Sequence, residues 1–99
     1  MRKSEAITRA AALVRLVHMG RGQYALQYPW RGHDGPVTQS AGQYSYQNAM
    51  QRRAAMIAQY ALEMLMPDCD SDYAIDRATH GGFHYGRARE ILDRALRHA

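Results

Sequence analysis

The segment Thr79-His80-Gly81-Gly82-Phe83-His84-Tyr85-Gly86-Arg87-Ala88-Arg89 places two histidines, two aromatics and two arginines around a glycine pair. Three chemistries can be tried on it. His80 and His84 stand four apart, the separation at which two imidazoles ligate a metal from one helical face. The intervening glycine pair removes the helix that would set that geometry. Capping or solvent-facing histidines are the simpler reading, with His33 and Cys69 too distant in sequence to complete a motif. The second chemistry is DNA reading. Ala78 followed by Gly82 has the spacing of a helix-turn-helix, Phe83, Ala88 and Ile91 fall at its apolar positions, and His84, Tyr85, Arg87 and Arg89 would open the recognition helix. Against it, Arg77 occupies a position that the motif keeps apolar, and Gly86 would cost about 1 kcal/mol inside that helix. The third is protein contact, for which tyrosine and arginine are favoured anchors and glycine permits close backbone approach.

Elsewhere the sequence offers less chemistry. Asp68, Asp70 and Asp72 are spaced like the opening of a calcium loop. That loop needs glycine at its sixth position and glutamate at its twelfth, where this chain has Tyr73 and Thr79. The carboxylates are explained by the helix start that follows them. Cys69 lies between two aspartates, unlike the electropositive surroundings that activate a cysteine nucleophile. No serine elbow or glycine-rich phosphate loop appears. The sequence therefore predicts no enzyme: no catalytic residue, no cofactor and no metal site.

These residues need elements to position them. Ninety-nine residues make one domain, here residues 1–99, and 46% apolar content is enough for a core. Ser4 is expected to cap a first helix carrying Ile7, Ala10, Ala11, Val14 and Val17, ended by Gly20 and Gly22. Val14, Leu16 and Val17 also permit a strand. Gln23 to Trp30 alternates with period two, which puts Tyr24, Leu26, Tyr28 and Trp30 on one face. That face reads as core under a helix before it reads as a stacking platform for single-stranded nucleic acid. Residues 31–35 form a hairpin loop and a weaker strand follows from about Val37 to Ala41.

Ser45 should cap a long helix with the stripe Met50, Ala54, Ile57, Ala61 and Leu65, widened by Ala58 and Leu62 and stopped by Pro67. Met50, Met56, Met64 and Met66 read as core filler or helix rim. A short helix from about Asp72 to Thr79 and a last one with buried Ala88, Ile91, Leu92 and Ala95 complete the chain. Arg89–Asp93, Glu90–Arg94 and Asp93–Arg97 are expected to pair along the exposed face of that last helix. The fold class is α+β in the order α-β-β-α-α-α: a small single domain with a β-hairpin packed on a long amphipathic helix and flanking helices.

Net charge is +4, concentrated in residues 1–21, where Arg2, Lys3, Arg9, Arg15 and Arg21 face only Glu5. Seven tyrosines against one phenylalanine and one tryptophan favour amphipathic, interface-type aromatics. No apolar run approaches the ~20 residues of a membrane span, and the first residues have no signal-peptide core. The single cysteine fits a reducing compartment. A cytoplasmic location in a host cell is the expectation, with no membrane partner.

In length, small α+β architecture and lack of enzymatic motifs, the chain resembles single-domain proteins of phages and mobile elements of the anti-CRISPR kind. The resemblance implies stoichiometric binding to a large host complex and carries no residue roles. Many such inhibitors are acidic mimics of nucleic acid; the basic charge here points away from mimicry. The expected function is a non-enzymatic binding protein that occludes a surface of a larger protein or nucleoprotein complex. The expected contact residues are His80, Phe83, His84, Tyr85, Arg87 and Arg89, with Arg31 and His33 of the hairpin loop as a second surface. The alternative is a nucleic-acid-binding regulator that uses residues 72–97 or the basic first segment. A homodimer is a further possibility, through an exposed strand edge.

Overall fold

The structure is a computed structural model that describes residues 1–29, 36–80 and 87–99, with 36–44 described as backbone. Helix α1 spans Lys3–Leu13, strands β1, β2 and β3 span Arg15–Gly20, Gln23–Pro29 and Pro36–Tyr44, and helices α2, α3 and α4 span Tyr46–Leu65, Ser71–Thr79 and Ala88–His98. The α+β class is as expected, with β2 and β3 forming the expected antiparallel hairpin beside four helices. The sheet is wider than that hairpin, because β1 adds a third antiparallel strand in the order β1-β2-β3.

The added strand comes from the segment expected to finish the first helix. Helix α1 stops at Leu13, and Val14 turns to extended backbone with φ −114° and ψ 108°. Residues 15–18 then pair in register with Gln27 back to Tyr24. The β-branched Val14 and Val17 fit a pleated surface better than a helix end. Pairing with β2, where Val17 faces Ala25, also gives backbone groups partners that the end of a helix lacks. A third strand further matters because a two-stranded hairpin is marginal in water.

The junction is held from a distance. Arg53 of α2 donates Nε to the Val14 carbonyl at 2.9 Å and a terminal guanidinium nitrogen to the Ala11 carbonyl at 3.1 Å. Carbonyls at a helix C-terminus lack intrahelical donors and carry partial negative charge, so a guanidinium satisfies both needs. At the other end of α1, Arg2 rather than Ser4 is the N-cap, without a side-chain bond. Ser4 lies inside the first turn, where its carbonyl accepts from the Thr8 hydroxyl at 2.9 Å.

Strands β1 and β2 meet in a two-residue turn. Gly20 pairs with Gln23, leaving Arg21 and Gly22 as the loop. Both have positive φ, 54° and 71°, which is the type I′ arrangement whose twist matches the flanking strands. Met19 is an extra residue between the pairs His18–Tyr24 and Gly20–Gln23, a β-bulge. At the far end of β2, Pro29 pairs with Pro36 and closes the strand, as a residue without an amide proton should.

Helix α2 is the axis of the domain: α1, α3, α4 and the sheet all pack on it. Its start follows the expectation, with the Ser45 hydroxyl accepting from the Asn48 amide at 3.2 Å. It ends at Leu65, two residues before Pro67. The buried positions are Ala49, Ala55, Ile57, Ala58, Ala61 and Leu62. Met50 is exposed and Ala54 and Leu65 are half-buried, so the stripe read from periodicity is displaced around the helix. A helix covered from several directions buries a wider arc than one amphipathic face. The many alanines at these contacts let helix axes approach closely.

Helix α3 is capped by Asp70, whose carboxylate accepts from the Tyr73 amide at 3.1 Å, so it begins one residue before the expected Asp72. On α4 the buried residues are Ile91, Leu92 and Ala95, with Ala88 half-buried. The expected pairs along α4 do not form. Asp93 reaches across to Lys3 of α1 at 3.2 Å, and the other ion pair among the described residues is Glu5–Arg9 at 3.0 Å. Both are exposed and contribute little.

The core joins Ala6, Ala10 and Val14 of the first segment to Leu26 and Tyr28 of β2, Leu62 of α2, Ala74 and Ile75 of α3, and Leu92 of α4. Leu26 and Tyr28 are buried as the strand pattern required, while Trp30 lies outside the described residues. Replacing Arg53 by methionine, which keeps an apolar stem, should lower unfolding free energy by about 1.5–3 kcal/mol. Urea titration measures this; a loss under about 0.5 kcal/mol would mean that the α1 carbonyls are equally well served by water.

Candidate interaction site

Of the residues expected to make contacts, His80, Arg87 and Arg89 are described and all three are exposed. Phe83, His84, Tyr85, Arg31 and His33 lie outside the described residues. His80 closes α3, Arg87 is the N-cap of α4, and Arg89 lies in the first turn of α4. The structure brings Arg87 alone of these into a groove.

That groove lies between the first turns of α2 and the start of α4, with a volume of about 460 Å³. Tyr46, Met50, Ala54, Arg53, Arg87 and Ala88 line it. Tyr46 is 55% exposed and Met50 37%, so two large apolar side chains face solvent one helical turn apart. Among the described residues, no carboxylate lines the groove. Arg53 is already committed to the α1 carbonyls. Arg87 pairs with no described carboxylate.

Tyr46 also belongs to a row of rings that continues onto the sheet. Its ring meets Tyr24 edge-on at a centroid distance of 5.3 Å, and Tyr24 lies 4.9 Å from His18. Contacts of this kind hold rings in place beyond simple burial. His18, the half-buried Tyr24 and Tyr46 therefore link the β1–β2 end of the sheet to the groove as one continuous surface. Sequence reading missed Tyr46 and His18 and placed Met50 on the apolar stripe as core filler or helix rim; at 37% exposure it is at the rim. The available signal was the four-residue spacing of Tyr46 and Met50, which puts both on one side of α2.

Two other hollows lie along α2 and α3. Between α2 and α3, a cleft of about 430 Å³ is lined by Arg52, Met56, Gln59, Tyr60, Asp72 and Asp76. The Tyr60 hydroxyl donates to the Pro29 carbonyl at 2.8 Å, and the Gln59 amide donates to Asp72. Nearby, the Ser71 hydroxyl donates to Glu63 at 2.8 Å. Burial, then the negative charge of Glu63, then Tyr28, push the Tyr60 phenol above its usual value of 10.0. These groups tie α2 to β2 and α3. The second hollow, about 620 Å³ at the α2–α3 loop, is lined by Met66, Cys69, Tyr73 and His98 among others. Among the described residues no three histidine, cysteine, aspartate or glutamate side chains gather as a metal site would require.

The helix-turn-helix reading meets one observation. Helix α4 begins at Ala88, so Arg87 caps it and does not lie within it. The turn and the opening of the expected recognition helix, with Phe83, His84 and Tyr85, lie outside the described residues. In the basic first segment, Lys3 and Arg9 are paired with carboxylates. No helix among the described residues is long and apolar enough to cross a membrane. The chain matches no protein-family model, no curated protein and no solved structure.

The Tyr60 phenol gives a prediction in pH. Because its folded pKa is raised, its contribution to stability is complete below about pH 10 and is lost as pH rises through the folded value. Tyr60→Phe should be less stable near neutrality, having lost the bond to Pro29, yet decline less steeply above pH 10. Denaturant midpoints from pH 7 to 11 measure both effects; an unchanged alkaline slope would assign the loss to other tyrosines.

Proposed function

We propose that this protein is a non-enzymatic binding protein that acts by covering a surface of a larger protein, alone or within a nucleoprotein complex. That is the mode of the phage and mobile-element inhibitors of the anti-CRISPR kind that it resembles. The observation that supports this reading is the exposed surface made by His18, Tyr24, Tyr46, Met50 and Arg87. Tyrosine, methionine and arginine are enriched in protein interfaces, where a few aromatic and arginine anchors supply most of the binding energy. Isolated apolar residues on a surface need no explanation, but here they adjoin a groove that can receive side chains from a partner. The expected contact region shifts with this reading. Arg87 stays in it, and its centre moves from the glycine pair to the start of α2.

A nucleic-acid partner would call for cations spread along the surface, because phosphate neutralisation dominates such binding. Among the described residues the groove has a single uncommitted arginine, which favours a protein partner. Capture of a partner from cell extract should therefore survive nuclease and weaken only modestly between about 50 and 200 mM salt. The double variant Tyr46→Ala, Arg87→Ala should lose most of that capture while its thermal midpoint stays close to the parent, since both positions are exposed. Loss of capture on nuclease treatment, or a collapse of stability in the double variant, would count against the reading.

A further inference from the structure

The turn joining β1 to β2 is built in a way that the fold itself does not require. Both residues of a type I′ turn have positive φ, and asparagine, aspartate and glycine occupy such positions at low cost. Here the first is Arg21, the one non-glycine residue with positive φ among those described. A Cβ in the left-handed region is crowded against its own backbone, a penalty that asparagine offsets by local hydrogen bonding. Arg21 is exposed, and none of the described carboxylates pairs with it. Just before the turn, the bulge adds Met19, whose side chain is 45% exposed. Bulges re-aim side chains and increase local twist. An unfavourable backbone position and an exposed apolar side chain thus coincide at one hairpin tip, next to His18 and Tyr24 of the ring row.

We propose that this tip is a recognition element: it presents Arg21 to a carboxylate on a protein partner, while Met19 enters an apolar depression beside that carboxylate. The inference rests on the reading of the protein as a binding protein and adds the partner chemistry and two contact residues. Charge complementarity selects the occupant. Among the described residues, the tip and the adjoining groove carry Arg21 and Arg87 and no carboxylate, and a guanidinium binds a carboxylate through two parallel hydrogen bonds. The tight turn fixes the backbone in advance, which reduces the ordering lost on binding.

The test compares Arg21→Asn and Arg21→Lys with the parent chain. The protein captured from extract by the parent is identified by mass spectrometry, purified and titrated against each. Arg21→Asn should raise the thermal midpoint by roughly 4 °C, the shift expected of a domain this size for about 1 kcal/mol, and weaken binding at least tenfold. Arg21→Lys should keep the parent midpoint and recover only part of the affinity. Opposite signs for stability and binding are the signature, since a purely structural arginine would lose both together. Binding of Arg21→Asn within twofold of the parent, or a lowered midpoint, would overturn the proposal. If Tyr46→Ala, Arg87→Ala still loses capture in that case, the binding reading stands without the tip. If the parent captures no protein, both fall.

Discussion

The domain depends on how Arg53 meets the end of α1. Where a helix stops, its last carbonyls need donors, and the chain here must also change from helix to strand within one residue, Val14. A guanidinium from the middle of α2 supplies two donors at that point, to Ala11 and Val14. With the carbonyls satisfied, Val14 can be buried at 1% exposure and the chain can run directly into β1. The same bonds fix α1 against α2, so one side chain couples the helical layer to the sheet. Without that coupling β1 would have no fixed start, and the register that places His18 opposite Tyr24 would be less constrained.

Helix α2 then divides the surface into two kinds. On the side facing α3, Gln59, Tyr60 and Glu63 are engaged by Asp72, the Pro29 carbonyl and Ser71. Those polar groups secure the α3 layer and the end of β2. On the opposite side, Tyr46 and Met50 face outward and adjoin Arg87. An inward-committed side and an outward-facing apolar side on one helix suit the binding role proposed above. Rigidity comes from the first, and contact area from the second.

Fold class alone would not select a function, since small α+β domains serve many. What narrows the choice is the co-location of rings, methionine and unpaired arginine on one surface, alongside polar clefts whose groups are engaged with one another.

Local signals in the sequence determined much of this architecture. The Ser45 cap, the Pro67 stop, the period-two run from Gln23 and the stripe Ile91, Leu92 and Ala95 each act within a few residues, through hydrogen bonding or side-chain periodicity that tertiary context did not override. Three features were decided only by contacts distant in sequence. The end of α1 at Leu13 depends on pairing with β2 and on Arg53, both beyond the reach of local propensity. The ion pair of Asp93 goes to Lys3, which the fold brings within 3.2 Å, and not to Arg89 or Arg97 on its own helix. The exposure of Tyr46 and Met50 depends on which arc of α2 its neighbours cover, and periodicity marks an apolar face without saying how far around the helix the covering elements extend.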